Sequence, residues 1–195
     1  MRFPLLLVFT FLVLTIAAGS AGAWQHKGGM AGLFPARRAV WAGVFLAVVT
    51  GVVVAGILQA LDPVLRDAII VREDRQLWTS TFPSTPTECI SRILWGAGFQ
   101  TLFFTAAAMG FFARLIGRVW LAIVFTVCLH AIITVRKFGE AGLSEVTVPY
   151  TAIAMINGLV SCLLYARAGL PSAMTFSATT DLRHFLNLEI AQSWP

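Results

Sequence analysis

Long runs of apolar residues dominate the sequence, and five of them have the length and composition of a membrane-spanning helix. A helix that crosses a bilayer needs about 20 mostly apolar residues. The runs that meet this requirement are Phe3–Ala23, Ala39–Leu61, Ile93–Phe112, Val119–Val135 and Val148–Tyr165. A sixth and weaker stretch, from about residue 169 to residue 188, contains Asp181, Arg183 and His184. It predicts a helix packed inside a bundle with its polar side turned inward.

This pattern predicts an all-α fold, a polytopic integral membrane bundle of about six transmembrane helices. Residues 1–195 then form a single membrane domain, with N-terminal helices and an interfacial segment over 1–85 and a core over 86–188. Only 12% of the residues are charged, against roughly 25% in a soluble domain. The net charge of +5 is spread over short loops, which predicts contact with lipid phosphates and no nucleic acid partner. We expect a multi-pass protein of the plasma membrane.

The first apolar run has a second interpretation. Arg2, the apolar stretch 4–18 and the small residues 21–23 also fit a cleaved signal peptide. Both interpretations leave the rest of the chain in the membrane, so the predicted function does not depend on the choice.

A polar connection joins the second and third runs. Asp62 followed by Pro63 is typical of a helix start, because a capping side chain is followed by proline at the first helical position. Leu65 and Ile69 then fall on one face of the chain, with charged residues on another. We therefore predict a short helix lying in the membrane surface, and a turn over Thr79–Thr87.

Four ionisable residues, Glu88, Arg92, His130 and Asp181, lie in or at the ends of the apolar segments. Such groups are costly in hydrocarbon, so they usually face the protein interior and mark a site. With six alternating crossings, Glu88 begins the third helix, His130 lies near the end of the fourth, and Asp181 lies in the later half of the sixth. All of them reach one leaflet, which predicts that the four side chains are directed into one interior cavity.

Structural explanations for these residues stay open beside the functional one. The sequence TPTE at 85–88 is a capping box with proline at the first helical position. Glu88 and Arg92 are also spaced for an i,i+4 ion pair. His130 is alternatively a hydrogen-bonded interior histidine, and Asp181 a helix-end group paired with an arginine.

The order and spacing of these residues resemble motifs of the CPBP family. These are membrane-embedded metalloproteases that include the type II CAAX prenyl proteases and bacteriocin-processing proteins. The matching segments are TECISR at 87–92, FTVCLH at 125–130, NGL at 157–159, YARAGL at 165–170 and AM at 173–174. The resemblance covers about Pro86 to Leu188.

The resemblance implies an intramembrane metallo-endopeptidase. It makes Glu88, Arg92, His130 and Asp181 the catalytic candidates, and His130 and Asp181 the metal ligands. It implies zinc as the cofactor. The implied partners are the lipid bilayer and a hydrophobic or prenylated peptide or membrane protein.

Two positions depart from the family pattern. Thr87 stands where the family has the glutamate that activates water, and Ser177 stands where it has a second histidine. A catalytic zinc needs about three protein ligands, and a serine hydroxyl does not replace an imidazole. We therefore predict a degenerate member that holds zinc weakly or not at all. The alternatives are an active peptidase, a non-catalytic scaffold that binds a membrane partner, and a small carrier or channel.

Overall fold

The computed structural model describes residues 37–192, and all regular structure in this range is helical. The long helices are α1 Arg37–Val71, α3 Pro86–Ile116, α4 Val119–Glu140 and α5 Ser144–Ala168. The shorter ones are α2 Arg75–Thr81, α6 Leu170–Asp181, a 3₁₀ turn Leu182–Phe185, and α7 Leu188–Gln192. The prediction of an all-α bundle is confirmed.

The four long helices are long and apolar enough to cross a membrane. They correspond to the second to fifth apolar runs, and each helix extends beyond its run. The sixth predicted span is wrong, because α6 has 12 residues and is only about 18 Å long. The hydrocarbon core is about 30 Å thick. The first run, Phe3–Ala23, and its signal-peptide alternative lie outside the described residues, which supply four spans where about six were expected for the chain.

The short helix α6 packs against α1, α5 and the middle of α3. Small residues allow the close approach to α1. A Cβ atom on Gly43 would overlap Ala168 and Ser172, and a Cβ atom on Gly51 would lie 2.8 Å from Cβ of Thr179. This packing carries the polar end of α6 into the bundle.

The predicted helix start at Asp62-Pro63 is wrong, because α1 continues through Pro63 to Val71. A proline inside a helix costs about 3 kcal/mol. The burial of Leu65 and Ile69, 1% and 0% exposed, offsets this cost because their face packs under α2. Since α2 extends to Thr81, the predicted turn begins later than expected.

The middle of α3 is a π-helix. The helix is α-helical over Pro86–Leu94, π-helical over Trp95–Ala107 and α-helical again over Ala108–Ile116. On one side of the π segment the rings of Trp95, Phe99 and Phe103 stack, with 4.3 and 5.6 Å between successive centroids. On another side Gly96 and Thr101 are buried. The π segment therefore decides which side chains of α3 face the interior.

Candidate functional site

Glu88 lies at the start of α3 and closes the capping box. Its backbone N–H donates to Oγ1 of Thr85 at 3.3 Å. Its Oε2 accepts from the backbone N–H of Ser84 at 2.6 Å, from the Ser84 hydroxyl at 2.9 Å, and from the backbone N–H of Thr85 at 3.3 Å. The predicted capping box is confirmed. The predicted ion pair with Arg92 stays a prediction.

The structure does not bring Glu88 into an interior cavity. Its side chain is exposed at the helix start, and it lines none of the cavities formed by residues 37–192 that are described below. The physical reason is that the capping hydrogen bonds turn the carboxylate back along the chain. The prediction of one shared cavity is therefore wrong for this residue.

An inner cavity of about 150 Å³ lies between α3, α4, α5 and α6. Its polar lining includes His130 from α4, Asn157 from α5, Ser177 and Asp181 from α6, and Thr105 from α3. The structure thus brings His130 and Asp181 together, as predicted. Ser177, at the position where the CPBP motif has a histidine, lines the same cavity. The cavity is therefore large enough for several waters or one polar group of a ligand.

The imidazole of His130 is positioned by α5 and α3. A Cβ atom on Gly158 would lie 3.0 Å from Cδ2 of His130, and the ring of Phe104 meets the imidazole edge-on at 6.3 Å between centroids. Gly158 belongs to the NGL motif, and its lack of a side chain makes this approach feasible. Nε2 of His130 and Oδ1 of Asn157 are buried without a hydrogen-bond partner among the described residues.

Asp181 ends α6 and is pressed against α3. A Cβ atom on Gly96 would overlap Oδ2 of Asp181, so glycine is required at this contact. Nη1 of Arg183 lies 3.7 Å from Oδ1. Asp181 lies outside the four spanning helices, and burial raises its pKa to about 6, against the opposing effect of Arg183 and Arg92.

Two further spaces adjoin the inner cavity. A lateral groove of about 500 Å³ lies between α3 and the end of α6, and its lining includes Arg92, Trp95, Asp181 and His184. A basic pocket of about 250 Å³ lies between α1, α4, α5 and the 3₁₀ turn. The basic pocket is lined by five charged side chains, which are Asp62, Arg92, Lys137, Asp181 and Arg183. Asp181 lines all three spaces, whereas Arg92 lines only the outer two.

Sequence reasoning missed a buried network around Asp62, which is 1% exposed. Oδ1 of Asp62 accepts from the Tyr150 hydroxyl at 3.1 Å, and Oδ2 accepts from the amide of Asn187. Nε of Arg183 lies 3.4 Å from Oδ2, close enough for an ion pair although it is not aligned as a hydrogen bond. Gln59 in turn donates to Asn187. We call these residues the Asp62 network, which joins α1, α5 and the chain after α6.

A signal for this network was present in the sequence. Leu58, Asp62, Leu65 and Ile69 follow the helical spacing i, i+4, i+7, i+11, and all four are buried. A helix that continued through Pro63 would therefore place Asp62 on the interior face. The Asp-Pro pair, which favours a helix start, outweighed this pattern in the prediction.

The lining of the inner cavity does not fit a catalytic zinc ion, which needs about three protein ligands. His130 and Asp181 face the same space, but residues 37–192 contain no group of three His, Cys, Asp or Glu side chains that could hold a metal ion. The hydroxyl of Ser177 is a poor substitute for the missing ligand. The predicted weak or absent zinc binding stays a prediction for metal analysis.

Comparison with known proteins adds no assignment to this geometry. No family model matches the chain, and neither a curated protein nor a solved structure does. The resemblance to the CPBP motifs therefore rests on the residues themselves, and the activity and partners that it implies are taken further only as proposals.

Proposed function

We propose that the protein is a multi-pass protein of the plasma membrane that binds a hydrophobic or prenylated peptide segment without cleaving it. In this proposal it is a non-catalytic descendant of the CPBP type of membrane scaffold. One observation carries the proposal: the carboxylate of Glu88 is bonded to Ser84 and Thr85 at the helix start, whereas His130 and Asp181 line the inner cavity.

Peptidase chemistry would require both a general base and a metal site at the cavity. A general base must lie within hydrogen-bond reach of the proton that it removes, and Glu88 lies away from the cavity. Thr87 is exposed and carries no carboxylate. If Asp181 acted as the base, His130 would be left as the single metal ligand of the predicted pair. Base and metal site are therefore not both available.

Peptide binding is supported by the unpartnered atoms of the inner cavity. Nε2 of His130 and Oδ1 of Asn157 are buried without partners among the described residues. The amide oxygen of Asn157 accepts only, and a peptide N–H is the donor that it lacks. The inner cavity has room for one such group, and the lateral groove, which shares Asp181 with it, has room for the adjoining residues. Apolar parts of the ligand would then lie against the lipid-facing surface of α3.

The test is binding of a fluorescent farnesylated peptide to the full chain in lipid nanodiscs, followed by anisotropy, with peptide integrity checked by mass spectrometry. We expect saturable binding and an intact peptide, with or without one equivalent of zinc. Asp181→Asn should weaken binding by about tenfold, which corresponds to about 1.4 kcal/mol. The control Asp67→Asn removes an exposed carboxylate that pairs with Arg66 and should leave binding unchanged.

Two outcomes would contradict the proposal. Zinc-dependent cleavage of the peptide that His130→Ala abolishes would establish an active peptidase. The binding function would be refuted if the wild-type protein bound the farnesylated peptide no more tightly than it bound a detergent.

A further inference from the structure

Three cationic side chains from three parts of the fold converge on the basic pocket. Arg92 comes from α3, Lys137 from α4, and Arg183 from the turn after α6. The same pocket holds two carboxylates, Asp62 and Asp181, and both lie within 3.7 Å of Arg183. Cations therefore outnumber carboxylates by one in a space that is partly shielded from water.

No other carboxylate side chain of the described residues compensates for this charge in the pocket. All nine Asp and Glu residues of the chain lie between residues 37 and 192, so residues 1–36 and 193–195 bring none. Four of the remaining seven are engaged elsewhere: Asp67 with Arg66, Asp74 at the start of α2, Glu88 at the start of α3, and Glu140 with Arg136. The other three, Glu73, Glu145 and Glu189, are exposed and do not line the pocket.

The pocket lies near one end of the spanning helices. Arg92 is in the second turn of α3, Lys137 is in the last turn of α4 and Tyr150 is in the second turn of α5. These three helices are consecutive and antiparallel, so the start of α3, the end of α4 and the start of α5 lie on one side of the bundle. These helices have 31, 22 and 25 residues, more than the about 20 that cross the hydrocarbon core, so cations one or two turns from these ends are within reach of lipid phosphates.

The geometry points to a phosphate-bearing membrane lipid as the ligand of the basic pocket, and we propose this as a second binding site. Arg92 supplies a planar, forked donor that matches phosphate oxygens, and Lys137 supplies a point charge. Arg183 is held in place by Asp62 and Asp181 and adds to the positive potential. Ile133 is an exposed apolar side chain four residues before Lys137 and therefore on the same face of α4, so it would lie along an acyl chain. The site shares Asp181 and Arg92 with the spaces proposed for the peptide, but Lys137 lines neither the inner cavity nor the lateral groove, so its substitution tests lipid binding separately.

The test measures binding of dioctanoyl phosphatidic acid to the detergent-purified full chain by native mass spectrometry and titration calorimetry. We expect one saturable site. Lys137→Gln should weaken it by about tenfold, whereas Lys137→Arg should keep it. The matched control is Arg136→Gln, which removes the same charge from the next residue. Arg136 is exposed, with a side chain 78% accessible and paired with Glu140, so the affinity should change by less than about twofold.

Comparison with other ligands distinguishes binding of a lipid phosphate from binding of free phosphate. Dioctanoyl phosphatidylcholine and inorganic phosphate should each bind at least about tenfold more weakly than phosphatidic acid. Inorganic phosphate that binds as tightly would overturn the assignment to a lipid. Equal losses in Lys137→Gln and Arg136→Gln would show attraction by net charge alone and would overturn the site. Circular dichroism of each variant checks that its helix content is retained, and Arg92→Gln repeats the test if Lys137→Gln fails to fold.

Discussion

The Asp62 network and the inner cavity are two buried polar regions of one bundle, and their central polar groups differ in how they are partnered. Both carboxylate oxygens of Asp62 have partners, in Tyr150, Asn187 and Arg183. In the inner cavity, Nε2 of His130 and Oδ1 of Asn157 have none among the described residues. A buried polar atom without a partner costs about 1–3 kcal/mol. The first region therefore joins helices, whereas the second lowers stability and leaves groups ready for a ligand.

The difference shows how to interpret an ionisable residue in an apolar helix. Position alone did not separate Glu88 from Asp181, since both were predicted to face the same cavity. Their hydrogen-bond partners do separate them, because three donors at the helix start hold Oε2 of Glu88 there. Three substitutions test the contrast between the regions.

Asp62→Ala should have the largest effect on the free energy of unfolding, a loss of about 3–5 kcal/mol, because it leaves the guanidinium of Arg183 buried beside fewer charges. Thermal or SDS-induced unfolding of the purified protein measures this loss. Asp67→Ala is the control on the exposed face of the same helix and should cost less than about 1 kcal/mol. Adding Arg183→Met to Asp62→Ala should restore part of the stability. Similar losses in the two single variants would show that the network is not structural.

Gly96→Ala should lower stability by about 1–3 kcal/mol, as overpacking of a buried contact does, since its Cβ atom would overlap Oδ2 of Asp181. Displacement of Asp181 should also weaken peptide binding. Gly98→Ala, two residues away in the same π segment, meets no atom within 4 Å and should be neutral or stabilising by up to about 1 kcal/mol. Unfolding midpoints of the pair give the measurement. The contact would be refuted by a Gly96→Ala protein as stable as Gly98→Ala.

His130→Leu should have the smallest effect on stability, less than about 1.5 kcal/mol in either direction. It removes Nε2, which has no partner among the described residues, together with one hydrogen bond to the backbone of Phe104 that is worth about 1 kcal/mol. The same variant should lose binding of the farnesylated peptide. The two measurements together sharpen the contrast with Asp62. A loss of stability near that of Asp62→Ala, with binding retained, would instead make His130 a structural interior histidine.

The spanning helices could be predicted because apolar runs of this length have few other uses, but their ends could not. The runs stop at the first polar residues, whereas the helices continue past them. Thus α1 passes through Pro63 because the burial of Leu65 and Ile69 continues beyond it. The start of α3 is the exception, since the capping box at Thr85 predicted it. The sixth helix was overestimated in length because its polar residues end α6 in a 3₁₀ turn.

The candidate site could also be predicted where it depends on residues that are close in sequence, and not where it depends on contacts between distant residues. The capping box involves residues three apart and could be read from the sequence, and the shared cavity of His130 and Asp181 followed from the leaflet that each residue reaches. The hydrogen bond between the side chains of Asn187 and Asp62 joins residues that are 125 positions apart in the sequence. No local rule connects them, because the pairing depends on how α6 packs against α1.

The π segment of α3 determines how far the first half of that helix is rotated about the helix axis relative to the second half. Each residue of an α-helix turns the chain by about 100°, and a π turn holds more residues than an α turn. Loss or gain of one residue within Trp95–Ala107 would therefore rotate the half that carries Arg92 by about a quarter of a turn relative to the half that carries Met109. Arg92 would then leave the side of Asp181 although neither residue had changed. The number of residues in the π segment therefore determines which side chains at the start of α3 face α6.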